Sequence, residues 1–227
     1  MRRLEPLLAP AVFVAMVAAL WFIFMVVPTE RQMGIVQRIF YFHVASAWLA
    51  YAGFFTVAGA SAVYLWKGSA AADRAALAGA EIGVLFCTFV VVTGPIWARP
   101  IWGVWWTWDP RLTMTLILWA IYAGYLMLRA FGGDDEAVAR YAAVLGIVGV
   151  LDIPVIRVSV RLLHGIHPNV LNQPQGSGLS DPTMRLALLV ASVAMLLLGG
   201  WLAMVRMRQE RLSSELAALR RLAEERA

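Results

Sequence analysis

Residues 184–205, MRLALLVASVAMLLLGGWLAMV, decide the fold class of this chain. The stretch carries one ionisable side chain, Arg185, and it is long enough to cross a bilayer core, which takes about 20 apolar residues in a helix. Five similar stretches precede it, at roughly 7–27, 43–66, 78–97, 112–130 and 141–160. The sequence therefore predicts an all-α integral membrane protein, with one polytopic domain of about six spans over 1–205 and a tail over 206–227.

The composition supports a membrane protein. Of the 227 residues, 61% are hydrophobic and only 15% are charged, whereas soluble domains carry roughly 25% charged residues. The formal net charge of +5 is too diffuse to indicate nucleic-acid binding. The first apolar stretch ends in Trp21, Phe22 and Phe24 without a small-residue cleavage site, which favours a retained helix over a secretory signal.

Cysteine usage and loop motifs exclude several chemistries. The one cysteine, Cys87, lies in an apolar run, so an intrachain disulfide, a CxxCH haem-attachment site and a cysteine-based zinc site are all excluded. The chain has no GxxxxGK[ST] loop and cannot bind ATP in the P-loop manner. Any energy-driven step must therefore come from a partner.

The distribution of Lys and Arg predicts the orientation, because cytoplasmic loops are enriched in these residues. The asymmetry favours both termini in the cytoplasm and outward loops at about 28–42, 98–111 and 161–183. The residues assigned to the cytoplasmic side are Arg2, Arg3, Lys67, Arg74, Arg129, Arg140 and the basic tail from Arg206. Those assigned to the outer side are Arg31, Arg38, Arg99, Arg111, Arg157, Arg161 and Arg185.

The tail after the sixth span has an amphipathic pattern. Leu212, Leu216, Leu219 and Leu222 recur at helical spacing among charges of both signs, which predicts an amphipathic cytoplasmic helix. Two interpretations stay open: a docking helix for a partner, or a solvated extension of the sixth span.

The third connection contains WGVWWTWDPRLT, residues 102–113, with four tryptophans within seven residues. An aromatic belt at the membrane surface explains one or two indoles, such as Trp97 or Trp119, but it explains this density less well. A short interfacial helix over 102–108 would place Trp102, Trp105 and Trp106 on one face, as a platform for a flat aromatic ligand. Trp108 would be turned aside.

The residues around the tryptophans indicate what that ligand is. Asp109 precedes Pro110 and is well placed to cap the fourth span. All three histidines, His43, His164 and His167, fall on the outer side. Imidazole ligates haem iron, aromatic rings cover the macrocycle, and arginines pair with propionates. Zinc fits less well, because indoles do not ligate it and Asp109 is the only obvious outward acid nearby.

These motifs resemble a known family. WGVWWTWDPRLT is similar to the tryptophan-rich WWD signature of the haem-handling proteins of cytochrome c biogenesis. FYFHVASAW around His43 and VSVRLLHGIHP around His167 resemble the two histidine segments that flank it. With six spans, the chain as a whole is most similar to the haem exporter protein C (CcmC) branch.

The resemblance implies a multi-pass protein of the bacterial inner membrane that binds b-type haem non-covalently at its periplasmic face. It further implies delivery of that haem to a periplasmic chaperone for c-type cytochrome maturation. Implied partners are the ATPase and permease subunits of an ABC transporter and a small single-span subunit. The protein would transfer haem rather than catalyse a reaction. The axial ligands would be His43 and His167, with His164 as a substitute for His167. The implied haem-binding set is completed by Trp102, Trp105, Trp106, Trp108, Asp109 and Arg111.

Ionisable residues within the spans are further candidates, because they are costly in lipid. Asp152 and Arg157 bracket Pro154 in the fifth span, and Glu81 lies near the inner start of the third. Arg157 could reach a propionate, although an internal ion pair or snorkelling is the favoured interpretation. Two other functions remain open: a b-type electron-transfer subunit, which usually buries histidine pairs inside its bundle, and a permease for an aromatic solute, which would show broken spans near the membrane centre.

Overall fold

The chain folds into a bundle of long helices, as predicted. A computed structural model describes residues 5–133, 135–163, 165–167, 179 and 181–224. Throughout these ranges the regular elements are helices, and the only β-type pairing is an isolated bridge between Glu30 and Gly34. The helices are α1 (Glu5–Trp21), α2 (Arg38–Lys67), α3 (Ala70–Trp102), α4 (Pro110–Phe131), α5 (Glu136–Val150), α6 (Asp152–Leu162) and α7 (Pro182–Glu224). A π-helical turn, Phe22–Val26, extends α1, and a 3₁₀ turn, Ile35–Gln37, leads into α2.

Six of the described segments are long and apolar enough to cross a membrane, which confirms the predicted number. Their bounds are Leu7–Val26, Ile35–Lys67, Ala70–Trp102, Pro110–Phe131, Glu136–Val160 and Pro182–Glu224. Several helices run past the predicted span ends, because the first and last turns carry polar and aromatic residues that lower the local hydropathy. His43, predicted at the start of the second span, consequently lies in the second turn of α2.

Helices α2 and α3 form the centre of the bundle and approach each other closely. A Cβ atom placed on Gly53 of α2 would lie 2.8 Å from the backbone oxygen of Gly79 in α3, so the two backbones meet without an intervening side chain. Small residues permit this approach in membrane helices. Beside this contact, the Phe54 ring stacks on Tyr122 of α4 with centroids 3.9 Å apart. The close approach fixes the α2–α3 pair as the scaffold for the other helices.

The fifth span is interrupted. Helix α5 ends at Val150, Leu151 forms a turn, and α6 starts at Asp152. Pro154 lies in the first turn of α6, where its missing N–H costs no helical hydrogen bond. Helix α6 packs against α4 rather than continuing along α2. The interruption therefore directs the second half of this span towards the end of the bundle where α4 begins.

The tail continues α7 without a break. Helix α7 extends from Pro182 to Glu224, and its leucines at 212, 216, 219 and 222 are exposed. Arg206 pairs with Glu81 of α3, with Nη2 2.8 Å from Oε1, and with Glu210 one turn further along α7. Of the two interpretations of the tail, the continuous helix agrees with an extension of the sixth span.

The bundle has two chemically different ends. At one end, α2 begins, α3 ends and α4 begins, and these turns bring the tryptophan stretch and the described histidines together; we call it the tryptophan end. At the opposite end, Arg129 forms a two-bond ion pair with Asp73, at 2.9 and 2.7 Å. The Arg206–Glu81 pair fixes α7 against α3 on that side. Glu81 is therefore a structural partner of Arg206.

Candidate functional site

A cavity of about 300 Å³ opens at the tryptophan end, at the lower end of the ~300–1,000 Å³ that ligand pockets occupy. Five parts of the chain line it: α2, α3, the loop after α3, α4, and α6 with the segment that follows it. The lining residues are Phe40, His43, Val44, Ala47, Trp48, Tyr51, Val90, Val91, Gly94, Pro95, Trp97, Trp102, Trp106, Arg111, Leu112, Thr115, Ile156, Arg157, Val160 and His167. Two histidines, four tryptophans and two arginines from distant sequence positions thus share one cavity.

His43 reaches the cavity from α2 and is anchored to α3. Its Nδ1 atom lies 2.9 Å from the hydroxyl oxygen of Thr93. The same hydroxyl oxygen lies 2.6 Å from the backbone oxygen of Phe89, one turn earlier in α3. The closely packed α2–α3 pair therefore positions the ring, with Nδ1 engaged by Thr93.

His167 reaches the cavity from the segment that follows α6. Arg111 donates from Nη1 to Nδ1 of His167 over 3.1 Å, and the Trp102 ring meets the imidazole edge-on with centroids 6.3 Å apart. These contacts bring together three of the predicted site residues. His164, the predicted substitute ligand, lies outside the described residues.

Asp109 connects α4 to the segment that carries His167. Its Oδ1 accepts from the backbone N–H of Arg111 at 2.9 Å, which confirms the predicted N-cap of α4. Its Oδ2 accepts from the backbone N–H groups of Ile166 and His167 at 2.6 and 3.3 Å. Asp109 is only 6% exposed and is not among the residues that line the cavity. Its carboxylate holds the His167 segment against the start of α4.

The tryptophan stretch does not form the predicted helix over 102–108. Helix α3 continues through Trp102, Gly103 ends it with φ +76°, and residues 103–109 are non-helical. A residue in the left-handed conformation terminates a helix. Pro110 starts the next helix, and proline favours an extended conformation at the residue before it. The prediction that Trp102, Trp105 and Trp106 share one helical face is therefore wrong.

The loop separates the tryptophans into two groups. Trp102 and Trp106 line the cavity, whereas Trp105 and Trp108 are 59% and 76% exposed. Trp97, one of the indoles that a belt would explain, also lines the cavity and meets Trp102 edge-on at 5.3 Å. Trp119, the other, lies within the bundle, where its Nε1 donates to Thr88 at 2.8 Å.

The cavity is rich in donors that lack acceptors. In the described part of the chain, Nε1 of Trp97, Nε1 of Trp106 and Nε of Arg111 are buried without a hydrogen-bond partner. Arg157 adds a second guanidinium, and none of the described lining residues is acidic. Buried donors are costly when unpaired, so this arrangement fits a ligand that brings anionic acceptors. The propionates of haem are such acceptors, and the aromatic walls fit its macrocycle.

The predicted intramembrane residues separate in the structure. Arg157 lines the cavity, and the ion pairs among the described residues do not include one between Arg157 and Asp152, so snorkelling of Arg157 is the favoured interpretation that stays a prediction. Asp152 is 9% exposed, and its Oδ2 has no hydrogen-bond partner among the described residues. The described residues also contain no group of three His, Cys, Asp or Glu side chains that could hold a metal ion.

Sequence reasoning missed four residues of this site: Trp97, Trp48, Tyr51 and Thr93. Trp97 lies five residues before Trp102 in the same helix, a spacing that does not place the two side chains on one helical face, so the sequence carries no signal for it. Trp48 lies five residues after His43 in a stretch that the motif already included. Tyr51 and Thr93 carry no local signal, because their relevance depends on the α2–α3 contact.

Comparison with known proteins gives a consistent result. Residues 1–222 match the family described as Heme exporter protein C (CcmC). The chain is similar to Heme exporter protein C of Bradyrhizobium diazoefficiens, with 35% identity over 85% of this chain and 73% of that protein. Heme exporter protein C of Escherichia coli K12 shows 34% identity over 80% of this chain and 73% of that protein. A putative ccmC-like mitochondrial protein of cytochrome c biosynthesis from Marchantia polymorpha shows 35% identity over 65% of this chain and 63% of that protein.

Proposed function

Because the chain belongs to the Heme exporter protein C (CcmC) family, a haem-handling component of cytochrome c biogenesis, we propose that its cavity at the tryptophan end binds haem as cargo. One observation carries the proposal: two histidines line the same cavity as the Arg157 guanidinium and three N–H groups that have no acceptor in the part of the chain that the structure describes. Imidazoles ligate haem iron, and N–H donors and guanidinium groups bind its carboxylates.

The residues of the cavity have separate tasks in this proposal. His43 and His167 are the axial ligands. Arg111 and Arg157, with the Nε1 groups of Trp97 and Trp106, bind the propionates. Trp102 lies against the macrocycle, and Asp109 acts through the His167 segment that it holds. The exposed Trp105 and Trp108 contribute at the rim, where cargo enters and leaves.

Haem is held without a covalent bond to the protein in this proposal. Cys87 is buried among apolar residues and is the only cysteine, so the chain lacks the paired thiols of a c-type attachment site. Reversible, b-type binding through nitrogen ligands suits a protein that passes its cargo on.

The partners and location follow from the family and from what the chain lacks. We propose that the protein lies in the bacterial inner membrane with the tryptophan end facing the periplasm, and that it delivers haem to a periplasmic chaperone. Since the sequence has no P-loop, energy would come from the ATPase of an ABC transporter, which acts with a permease subunit and a small single-span subunit. This protein transfers haem and does not catalyse a reaction.

The absorption spectrum of the purified protein tests the ligand assignment. We expect wild-type protein to bind haemin with a six-coordinate, low-spin Soret spectrum. His43→Ala and His167→Ala should each remove one ligand and shift the spectrum towards a five-coordinate form. A double variant of Trp21 and Trp201 to Phe, outside the cavity lining, serves as the control. Unchanged spectra in both histidine variants would refute the ligand assignment.

A further inference from the structure

The hydroxyl of Thr93 determines which nitrogen of His43 carries a proton. The backbone oxygen of Phe89, 2.6 Å from the Thr93 hydroxyl oxygen, can only accept a hydrogen bond. The single hydroxyl proton is therefore donated to that oxygen. The remaining contact of the hydroxyl, 2.9 Å to Nδ1 of His43, requires Thr93 to accept. Nδ1 of His43 consequently carries the ring proton, and Nε2 presents a lone pair.

Arg111 imposes the opposite state on His167. A guanidinium group only donates hydrogen bonds, so Nδ1 of His167, 3.1 Å from Nη1 of Arg111, accepts. In the neutral imidazole the proton then lies on Nε2. Because a metal is bound by an unprotonated ring nitrogen, His167 cannot ligate iron through Nε2 while Arg111 holds its Nδ1.

We propose that the two axial histidines act in order, and that Thr93 is the positioning residue that makes His43 the first ligand. Thr93 holds His43 in the ligating tautomer before haem arrives. His167 becomes a ligand only after Arg111 leaves its Nδ1. This inference rests on the proposed haem-binding function and adds an order of ligation to it.

The cargo itself supplies the reason for Arg111 to move. Arg111 lines the cavity, and its Nε lacks a partner within the described residues. A propionate would give the guanidinium an anionic acceptor that can take two parallel N–H bonds, whereas the neutral imidazole accepts one bond at a single nitrogen. Binding of the carboxylate thus frees Nδ1 of His167 to take the proton. Arrival of the cargo and formation of the second iron bond are thereby coupled.

Substitution of Thr93 tests the first step. Full-length Thr93→Val and Thr93→Ser proteins are titrated with haemin, and the Kd is measured from the Soret band. Loss of an outer-shell hydrogen bond typically costs roughly 10- to 100-fold in metal affinity, so Thr93→Val should raise the Kd by that factor. Thr93→Ser keeps the hydroxyl and should therefore have the wild-type Kd for haemin. Thr56→Val is the matched control, because Thr56 makes the same bond to the carbonyl one turn back, to Ala52 at 2.8 Å, without contacting a histidine.

A spectroscopic measurement separates this role from a loss of packing. In a His167→Ala background, where His43 is the sole protein ligand, the Fe(II)–imidazole stretching frequency is recorded by resonance Raman. A hydrogen bond from Nδ1–H makes the ligand more basic and strengthens the bond to iron. The frequency should therefore fall in Thr93→Val and return in Thr93→Ser. An unchanged frequency would overturn the proposal.

The two histidine variants test the order of ligation. His43→Ala should raise the haemin Kd more than His167→Ala, because His43 alone is preset. Equal increases would overturn the order of ligation and leave the ligand assignment intact. If Thr93→Val binds haemin like the wild type while His43→Ala does not, the role of Thr93 is refuted and the proposed function stands. If neither histidine variant alters the spectrum, the ligand assignment of the proposed function fails, and the order of ligation fails with it.

Discussion

Trp105 and Trp106 are adjacent in sequence but lie in different surroundings. Trp106 lines the cavity, and its buried Nε1 has no hydrogen-bond partner within the described ranges, whereas Trp105 is 59% exposed. We therefore expect Trp106→Phe to lose a donor to a propionate, and hydrogen bonds to charged groups contribute roughly 1.5–3 kcal/mol. Since about 1.4 kcal/mol is tenfold in an equilibrium constant, the haemin Kd should rise about tenfold or more. Trp105→Phe is the matched control. If both variants raise the haemin Kd equally, the tryptophan stretch serves as a membrane anchor and not as a haem site.

Asp109 allows a second test with single residues. Asp109→Asn retains one oxygen and can keep the cap on α4, but its NH₂ group cannot accept from the N–H of Ile166. The His167 segment should detach, so haem should become five-coordinate in the absorption spectrum while the protein still inserts. Asp135→Asn is the control, because among the described residues Asp135 accepts one bond, which caps α5 through Oδ1, 2.9 Å from the backbone nitrogen of Ala137. A six-coordinate spectrum in Asp109→Asn would contradict this positioning role.

Residue types in the site could be predicted, but their partners could not. Histidine, tryptophan and arginine are together the residue types that haem binding uses, and the resemblance to the WWD proteins then implied His43, His167 and the tryptophan stretch as the candidates. The bond from His43 to Thr93 joins residues 50 positions apart, and no local pattern records it. The bonds from the backbone N–H groups of Ile166 and His167 to Asp109 also leave no local pattern, because they form only when α4 and α6 pack together.

At the scale of elements, the close contact of α2 and α3 is the feature that holds His43 opposite Thr93. Gly53→Ala would place a Cβ 2.8 Å from backbone atoms of α3, and such overpacking costs typically 1–3 kcal/mol. We expect a lower melting temperature in detergent and weaker haemin binding. Gly59→Ala in the same helix is the control, since a Cβ there meets nothing within 4 Å. Equal melting temperatures for the two variants would contradict the close packing.

Element boundaries were less predictable than elements. Hydropathy detects the apolar centre of a span, and it predicts that the third span ends at residue 97. Helix α3, which contains Pro95 and Pro100, continues to Trp102. The spacing of Trp102, Trp105 and Trp106 suggested a helical face, but Gly103 and Pro110 terminate and restart the helices around them. The backbone preferences of Gly103 and Pro110 therefore determine the conformation of this stretch, and the helical spacing of its tryptophans does not. The interruption at Leu151 was not predicted from the sequence, and its consequence, Arg157 at the cavity, depends on packing of α6 against α4.

For the whole molecule, the number of spans followed directly from the sequence, because bilayer thickness sets a length that few soluble helices meet. Orientation has a weaker physical basis. It depends on the distribution of Lys and Arg between loops, and here both ends of the bundle carry several arginines. Arg129 and Arg206 also pair with acids, although acidic residues contribute little to this rule. Orientation is therefore the property on which the periplasmic role of the tryptophan end depends most.

Reporter fusions test that orientation. If the arginine asymmetry sets the topology, fusions after Phe131 and Arg206 should report the cytoplasm, and fusions within 98–111 and 168–180 should report the periplasm. The positions at 98–111 and after Phe131 flank α4, so they must give opposite answers in either orientation, which controls for failed insertion. The reverse pattern would place the cavity, with His43 and Arg111, on the cytoplasmic side. Haem could still bind there, but this chain could not hand it to a periplasmic chaperone, and the delivery role would have to be abandoned while the haem site was retained.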